Sequence, residues 1–196
     1  MKRVLLFSTL TASNRKVVLG QLFPNEIQNK IFTYIPSGGI KGSGPYIKQW
    51  REIAQEYNAE FNVIDNSVND AEEQRKLLYS NILLISGGNT FELLQNLRSS
   101  GLDKSIEEFA KKSDFVLAGF SAGAMVLTPA IEICNLPDFD ENLVGLKDLT
   151  GLSIVNFEVF PHYNEHLQKA TLESYQKTTD NSVREITDED YITLDR

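Results

Sequence analysis

Short apolar runs alternate along this chain with stretches in which apolar residues return every three or four positions. The runs Val4–Ser8, Ile31–Ile35, Glu60–Ile64, Ile82–Ser86, Phe115–Gly119, Ile154–Val159 and Tyr191–Leu194 read as β-strands. Several are apolar throughout, as expected of strands covered on both faces. Between them, Ile47, Trp50, Ile53, Ala54 and Tyr57 make one helical stripe. Leu93, Leu94 and Leu97, and then Ile106, Phe109 and Ala110, predict two further helices divided by Ser99-Ser100-Gly101. The alternation predicts an α/β fold: a mostly parallel wound sheet with helices on both faces. No repeat, low-complexity tract or long linker divides the chain, so residues 1–196 read as one domain. The stretch Leu136–Gly151, with Pro137, Asp138, Asp140 and Asn142, favours turns and is expected to cross the top or edge of that domain.

Composition narrows the function classes. Hydrophobic residues are 41% and charged residues 23% of the chain, which excludes disordered and fibrous architectures. Lys plus Arg is 19 against 27 for Asp plus Glu, a net charge of -8 that repels phosphate backbones and argues against a nucleic-acid partner. Cys134 is the only cysteine, so no intrachain disulfide forms, and a reducing compartment fits. Apolar runs such as Ile82–Ile85 fall far short of the roughly 20 residues that cross a bilayer. The run Val4–Phe7 is too short for a signal-peptide core. The expectation is a cytoplasmic protein with no membrane partner.

The candidate chemistry centres on Gly119-Phe120-Ser121-Ala122-Gly123, which follows an apolar run and precedes the helix-compatible Ala124-Met125-Val126-Leu127. A G-x-S-x-G pattern between strand and helix is the pattern of a nucleophile elbow. The turn holds a strained backbone, so its neighbours must be small, as Gly119, Ala122, Gly123 and Ala124 are. The other reading is a tight turn with a serine cap. Serine needs a base, and only two histidines exist. His162 follows Pro161, just past a predicted strand; were that strand parallel to the one leading to Ser121, both residues would share one sheet edge. His162 and His166 are spaced for a metal pair, with Glu165 nearby, but a third ligand is not evident and no metal is expected. His166 reads as a solvated helix residue. Gly87-Gly88-Asn89-Thr90 ends one strand and opens a helix, so the Gly88 amide can join that of Ala122 as an oxyanion hole. A glycine turn capped by Asn89 or Thr90 would look the same, and both can hold together.

The stretch from Ser37 to Pro45 is glycine-rich and lies between a strand and a helix, yet it matches neither nucleotide-binding glycine pattern. It reads as a surface loop that sits where ligands bind in wound sheets, and so as a candidate substrate cover.

In Gly87-Gly88-Asn89-Thr90-Phe91, Gly119-Phe120-Ser121-Ala122-Gly123-Ala124 and Pro161-His162-Tyr163, taken in that order, the sequence resembles peptidase E, the aspartyl dipeptidase family of serine peptidases. The resemblance implies a flavodoxin-like sheet, related to class I glutamine amidotransferase domains. It also implies cleavage after an amino-terminal aspartate in short peptides, without metal or cofactor. By position Ser121 would be the nucleophile and His162 the base, with Gly88 and Ala122 giving the oxyanion amides. Asn135 stands where the family carries an aspartate as third triad member. An asparagine can orient an imidazole but cannot offset its charge. Asp188 and Glu189 lie in the region where a family member carries a glutamate in that role. An acidic substrate calls for a cation, for which Arg51, Arg75, Arg98 and Arg184 are candidates. Two other functions fit the scaffold: a catalytically silent protein that binds a small acidic ligand or partner, motivated by Asn135, and a cyanophycinase-like hydrolase.

Overall fold

The computed structural model describes residues 1–196. Its strands are β1 (Lys2–Phe7), β2 (Ile31–Ile35), β3 (Glu60–Val63), β4 (Ile82–Ile85), β5 (Phe115–Phe120), β6 (Glu158–Pro161), β7 (Val183–Ile186) and β8 (Tyr191–Asp195). The helices are α1 (Arg15–Leu22), α2 (Gly44–Glu56), α3 (Ala71–Tyr79), α4 (Thr90–Ser100), α5 (Leu102–Phe109), α6 (Ala122–Val126) and α7 (Glu165–Tyr175). The main sheet runs in the order β3-β2-β4-β5-β1-β8, all parallel except β8, which pairs antiparallel with β1.

Strand residues alternate between two cores, which is why these strands are apolar at successive positions. Leu5, Phe7, Phe32, Tyr34, Leu84 and Ala118 face α1 and α2, where Leu19, Leu22, Trp50 and Ile53 are buried. Val4, Leu6, Leu83, Ile85 and Leu117 face the opposite layer, built from α3 to α6. The predicted stripe on α2 buries Trp50, Ile53 and Ala54; truncating a buried Trp to Ala typically costs about 3–5 kcal/mol. Gly101, at φ 76°, both ends α4 and begins α5, at the predicted break.

The predicted strand Ile154–Val159 requires correction. The strand is β6, at Glu158–Pro161, and it joins no part of the main sheet; it pairs in parallel with β7 alone. Ile154 and Val155 are buried but irregular, because their N–H groups donate to the Leu127 carbonyl at the end of α6. His162 therefore reaches the main sheet from a separate two-stranded unit and shares no sheet edge with Ser121. The irregular stretch after Leu136 is held against α4: Asp140 accepts the Thr90 N–H (2.7 Å), and Arg98 donates to the carbonyls of Asp148 (2.7 Å) and Thr150 (2.6 Å). No helix is long and apolar enough to cross a membrane.

Candidate active site

Strand order reverses direction around β4, β5 and β1: the chain winds outward from β1 to β2 and β3, then returns through β4 to β5. Ligand crevices of wound sheets open at the carboxyl ends of strands at such a reversal. A cavity of about 380 Å³ lies there, lined by Ser8 after β1, Ser37 after β2, Ser86 to Gly88 after β4, and Phe120-Ser121 at the end of β5. Gly42, Ser43 and Tyr46 also line it, so the glycine-rich stretch forms one wall.

Ser121 occupies the turn between β5 and α6 at φ 50° and ψ -118°, a conformation that costs a non-glycine residue about 1–3 kcal/mol and persists only when its surroundings hold it. They do so through three backbone bonds. The Ser121 N–H donates to the Phe7 carbonyl (2.9 Å), and the Ser121 carbonyl accepts from Ala124 (2.9 Å) and Met125 (3.1 Å). The small neighbours have a steric reason. A Cβ on Gly119 would lie 2.3 Å from the Gly123 carbonyl oxygen, and one on Gly123 would lie 2.2 Å from that of Ile85.

His162 follows β6 at φ 55°, and the buried hydroxyl of Ser8 fixes its backbone. Ser8 Oγ accepts the His162 N–H (2.9 Å) and donates to the Ile186 carbonyl at the end of β7 (2.8 Å), joining the main sheet to the small one. The ring bridges two partners. Nε2 lies 2.9 Å from Ser121 Oγ, and Nδ1 lies 2.6 Å from Asp188 Oδ1. A carboxylate only accepts, so Nδ1 carries the proton and Nε2 is left as the acceptor facing the serine.

Asp188 lies in the loop between β7 and β8, a loop clamped to residues 9–14. Asn14 Nδ2 donates to the carbonyls of Asp188 (2.9 Å) and Thr9 (3.0 Å). Glu189 turns away from the histidine and accepts from Thr11 Oγ1 (2.9 Å) and from Ser13. It belongs to the clamp, which corrects its candidacy as an imidazole partner. Asn135 is corrected likewise. It sits in a 3₁₀ turn, Glu132–Asn135, where its Nδ2 donates to the Glu132 carbonyl (3.1 Å), and the imidazole's partner is Asp188. Ser8 and Asn14 escaped sequence reasoning, since a single Ser or Asn in a loop carries no local signal of a contact more than 150 residues away.

Gly88, at φ 138°, borders the 380 Å³ cavity and also a smaller one of about 170 Å³ that includes Asp138 and Asp140. Ala122 is the first residue of α6, so its N–H has no acceptor within that helix. Asn89 caps α4 by accepting the Glu92 N–H (3.0 Å), so the turn at Gly87-Gly88 serves both as strand end and helix start. His166 is exposed in the first turn of α7, its N–H donating to Asn164 Oδ1.

None of the candidate arginines borders either cavity. Arg51 lies over the Phe61 ring (4.9 Å) and Arg184 over that of Phe157 (3.9 Å). Arg75 pairs with Glu72, and Arg98 is spent on the irregular stretch. Burial beneath α6 pushes the Cys134 thiol up to about 12, so it stays protonated and offers no competing nucleophile.

The model of peptidase family S51 matches residues 5–195. A protein of Pasteurella multocida named as an uncharacterized peptidase is 34% identical over 143 residues, covering 72% of this chain and 69% of its own length. One from Listeria monocytogenes with the same description is 31% identical over 159 residues, covering 79% and 77%. Peptidase E of Escherichia coli is 31% identical over 86 residues, covering 44% of this chain and 35% of the enzyme. Among solved structures, a candidate peptidase E protein from Listeria monocytogenes superposes with a TM-score of 0.78 at 25% identity, covering 99% of this chain and 94% of that one.

Proposed function

Because this chain belongs to peptidase family S51 and is a serine peptidase, we propose that it hydrolyses short peptides through an acyl-enzyme formed on Ser121, with His162 as base and Asp188 as the residue that orients it. One observation carries the reading: the unbroken line from Ser121 Oγ to His162 Nε2 (2.9 Å) and from Nδ1 to Asp188 (2.6 Å).

The steps follow from those positions. Ser121 Oγ attacks the carbonyl carbon of the amino-terminal residue while its proton passes to Nε2. The amides of Gly88 and Ala122 are offered to the oxygen that gains charge; one such donor is worth about 2.7–4 kcal/mol of barrier in a comparable hydrolase. His162 then gives its proton to the leaving nitrogen as the C–N bond breaks. Water, deprotonated by the same ring, releases the acid and restores the serine. Asp188 holds the tautomer and stabilises the imidazolium between these transfers.

The catalytically silent alternative was motivated by Asn135 and loses its motive, since a carboxylate faces Nδ1. The preference for amino-terminal aspartate finds no cation at either cavity to support it. The test is turnover of a dipeptide panel by the wild type and by Ser121→Ala. The expected result is release of free amino acids by the wild type and a loss of at least about 10³-fold in the variant. Equal turnover by both proteins would overturn the assignment.

A further inference from the structure

Strand β8 closes the main sheet, pairing with β1 on one side and with no strand on the other. Its register with β1 runs from Tyr191 to Asp195 without a bulge. The Arg196 N–H donates to the Lys2 carbonyl (2.9 Å). In an antiparallel ladder the backbone of Leu194 and Ile192 therefore turns toward β1, and that of Asp195, Thr193 and Tyr191 toward the open edge. Such an edge is a template for another strand, and chains commonly blunt it with lysine, proline or a bulge. Tyr191-Ile192-Thr193-Leu194-Asp195 has none of these.

The side chains say which strand fits. Around Thr193 the segment from Asp190 to Arg196 is complementary to its own reverse. An antiparallel copy centred there sets Tyr191 against the partner's Asp195, Ile192 against the partner's Leu194, and Asp190 against the partner's Arg196. On one face an acid, two apolar residues and a base thus meet a base, two apolar residues and an acid. Asp190 and Arg196 are exposed, while Ile192 and Leu194 pack on the core and are only partly covered. Both charged groups keep capacity for another partner: Asp190 accepts the Thr187 hydroxyl (2.6 Å) through one oxygen, and Arg196 donates to the Ile154 carbonyl. Asp195 is already paired with Arg3 (2.7 Å) and takes part through its backbone alone.

Thr193 is an independent sign. Its hydroxyl is buried without a hydrogen-bond partner, on a residue that is itself only partly covered. A turn about χ1 moves that hydroxyl to another staggered position. Across the edge the partner's Thr193 lies directly opposite, where one hydroxyl can donate and the other accept.

We propose that β8 is the surface on which two copies of this chain associate, through an antiparallel β8–β8 pair centred on Thr193 that joins their main sheets into one. Sedimentation velocity of the full chain at roughly 100 μM tests it, a concentration at which a dimer with a dissociation constant of about 10 μM or less predominates. The expected species is a dimer. Thr193→Pro removes an N–H that points to the edge and leaves the β1 ladder intact, so it should keep the wild-type circular dichroism and sediment as a monomer. Arg196→Asp sets like charges opposite each other at both ends and should weaken association about tenfold. Adding Asp190→Arg to it restores opposite charges and should recover the dimer. A monomeric wild type overturns the proposal. A dimer indifferent to Thr193→Pro or to the charge reversal also overturns it, because the contact then lies elsewhere. Should Thr193→Pro fail to fold, the charge variants decide: weakening by the single change with recovery in the double supports the β8 pair, and any other pattern overturns it.

Discussion

At Asp188 the proposed mechanism depends on a single proton. The carboxylate fixes which ring nitrogen of His162 is protonated, and an asparagine there could present its amide instead and favour the wrong tautomer. Asp188→Asn is therefore expected to lower kcat by about 10⁴, with little change in KM, as the equivalent change does in a well-studied serine protease. Asn135→Asp should leave kcat unchanged, because Asn135 bonds within its own turn. Steady-state kinetics on both variants check the pair. Ser8 acts at one remove, through the backbone of His162 rather than its ring. Its removal leaves the part-buried His162 N–H without its acceptor, while the Ile186 carbonyl keeps the Tyr163 N–H; a fully buried unsatisfied group costs about 1–3 kcal/mol, an upper bound here. Ser8→Ala should thus lower both the unfolding free energy and kcat, the latter about tenfold, with a smaller effect on KM. A merely structural role would lower stability and leave kcat of the folded enzyme intact.

The elements around the site differ in how plainly the sequence announces them. The β5–Ser121–α6 turn is local: five consecutive residues contain both the proposed nucleophile and the small neighbours that its geometry demands. Gly123→Ala should consequently destabilise the fold by roughly 3 kcal/mol, the upper part of the usual overpacking range, since the new methyl would meet the Ile85 carbonyl at 2.2 Å. Gly20→Ala, within α1 and with nothing inside 4 Å of the added carbon, should instead gain up to about 1 kcal/mol. Urea denaturation of the two variants compares them. The strands of the main sheet were legible because burial on both faces leaves an apolar run. β7 was not, because Val-Arg-Glu-Ile exposes its two middle residues. Helix α3 buries only Leu77 and α7 only Leu172 and Tyr175, too little for a stripe to stand out. The same reasoning explains the misplaced β6: Ile154, Val155 and Phe157 are apolar for burial against neighbouring loops and helices, and hydrophobicity alone does not distinguish that from strand pairing.

For the whole molecule, the site is a product of topology more than of any one segment. The reversal of winding brings the ends of β1, β2, β4 and β5 to one cavity, and the β6–β7 unit delivers His162 from outside the sheet. The third partner was legible only as a region, because Asp188 is placed by the clamp between residues 9–14 and the β7–β8 loop, at opposite ends of the chain. The same assembly leaves the cavity without a lining lysine or arginine within a chain of net charge -8. All of this has meaning for catalysis only if Ser121 is activated by His162. Reaction of the folded protein with a fluorophosphonate, followed by peptide mapping, tests that most directly. The account predicts one adduct, on Ser121, absent in Ser121→Ala and formed far more slowly in His162→Ala. An unlabelled wild type, or label mapped to another hydroxyl, would contradict it.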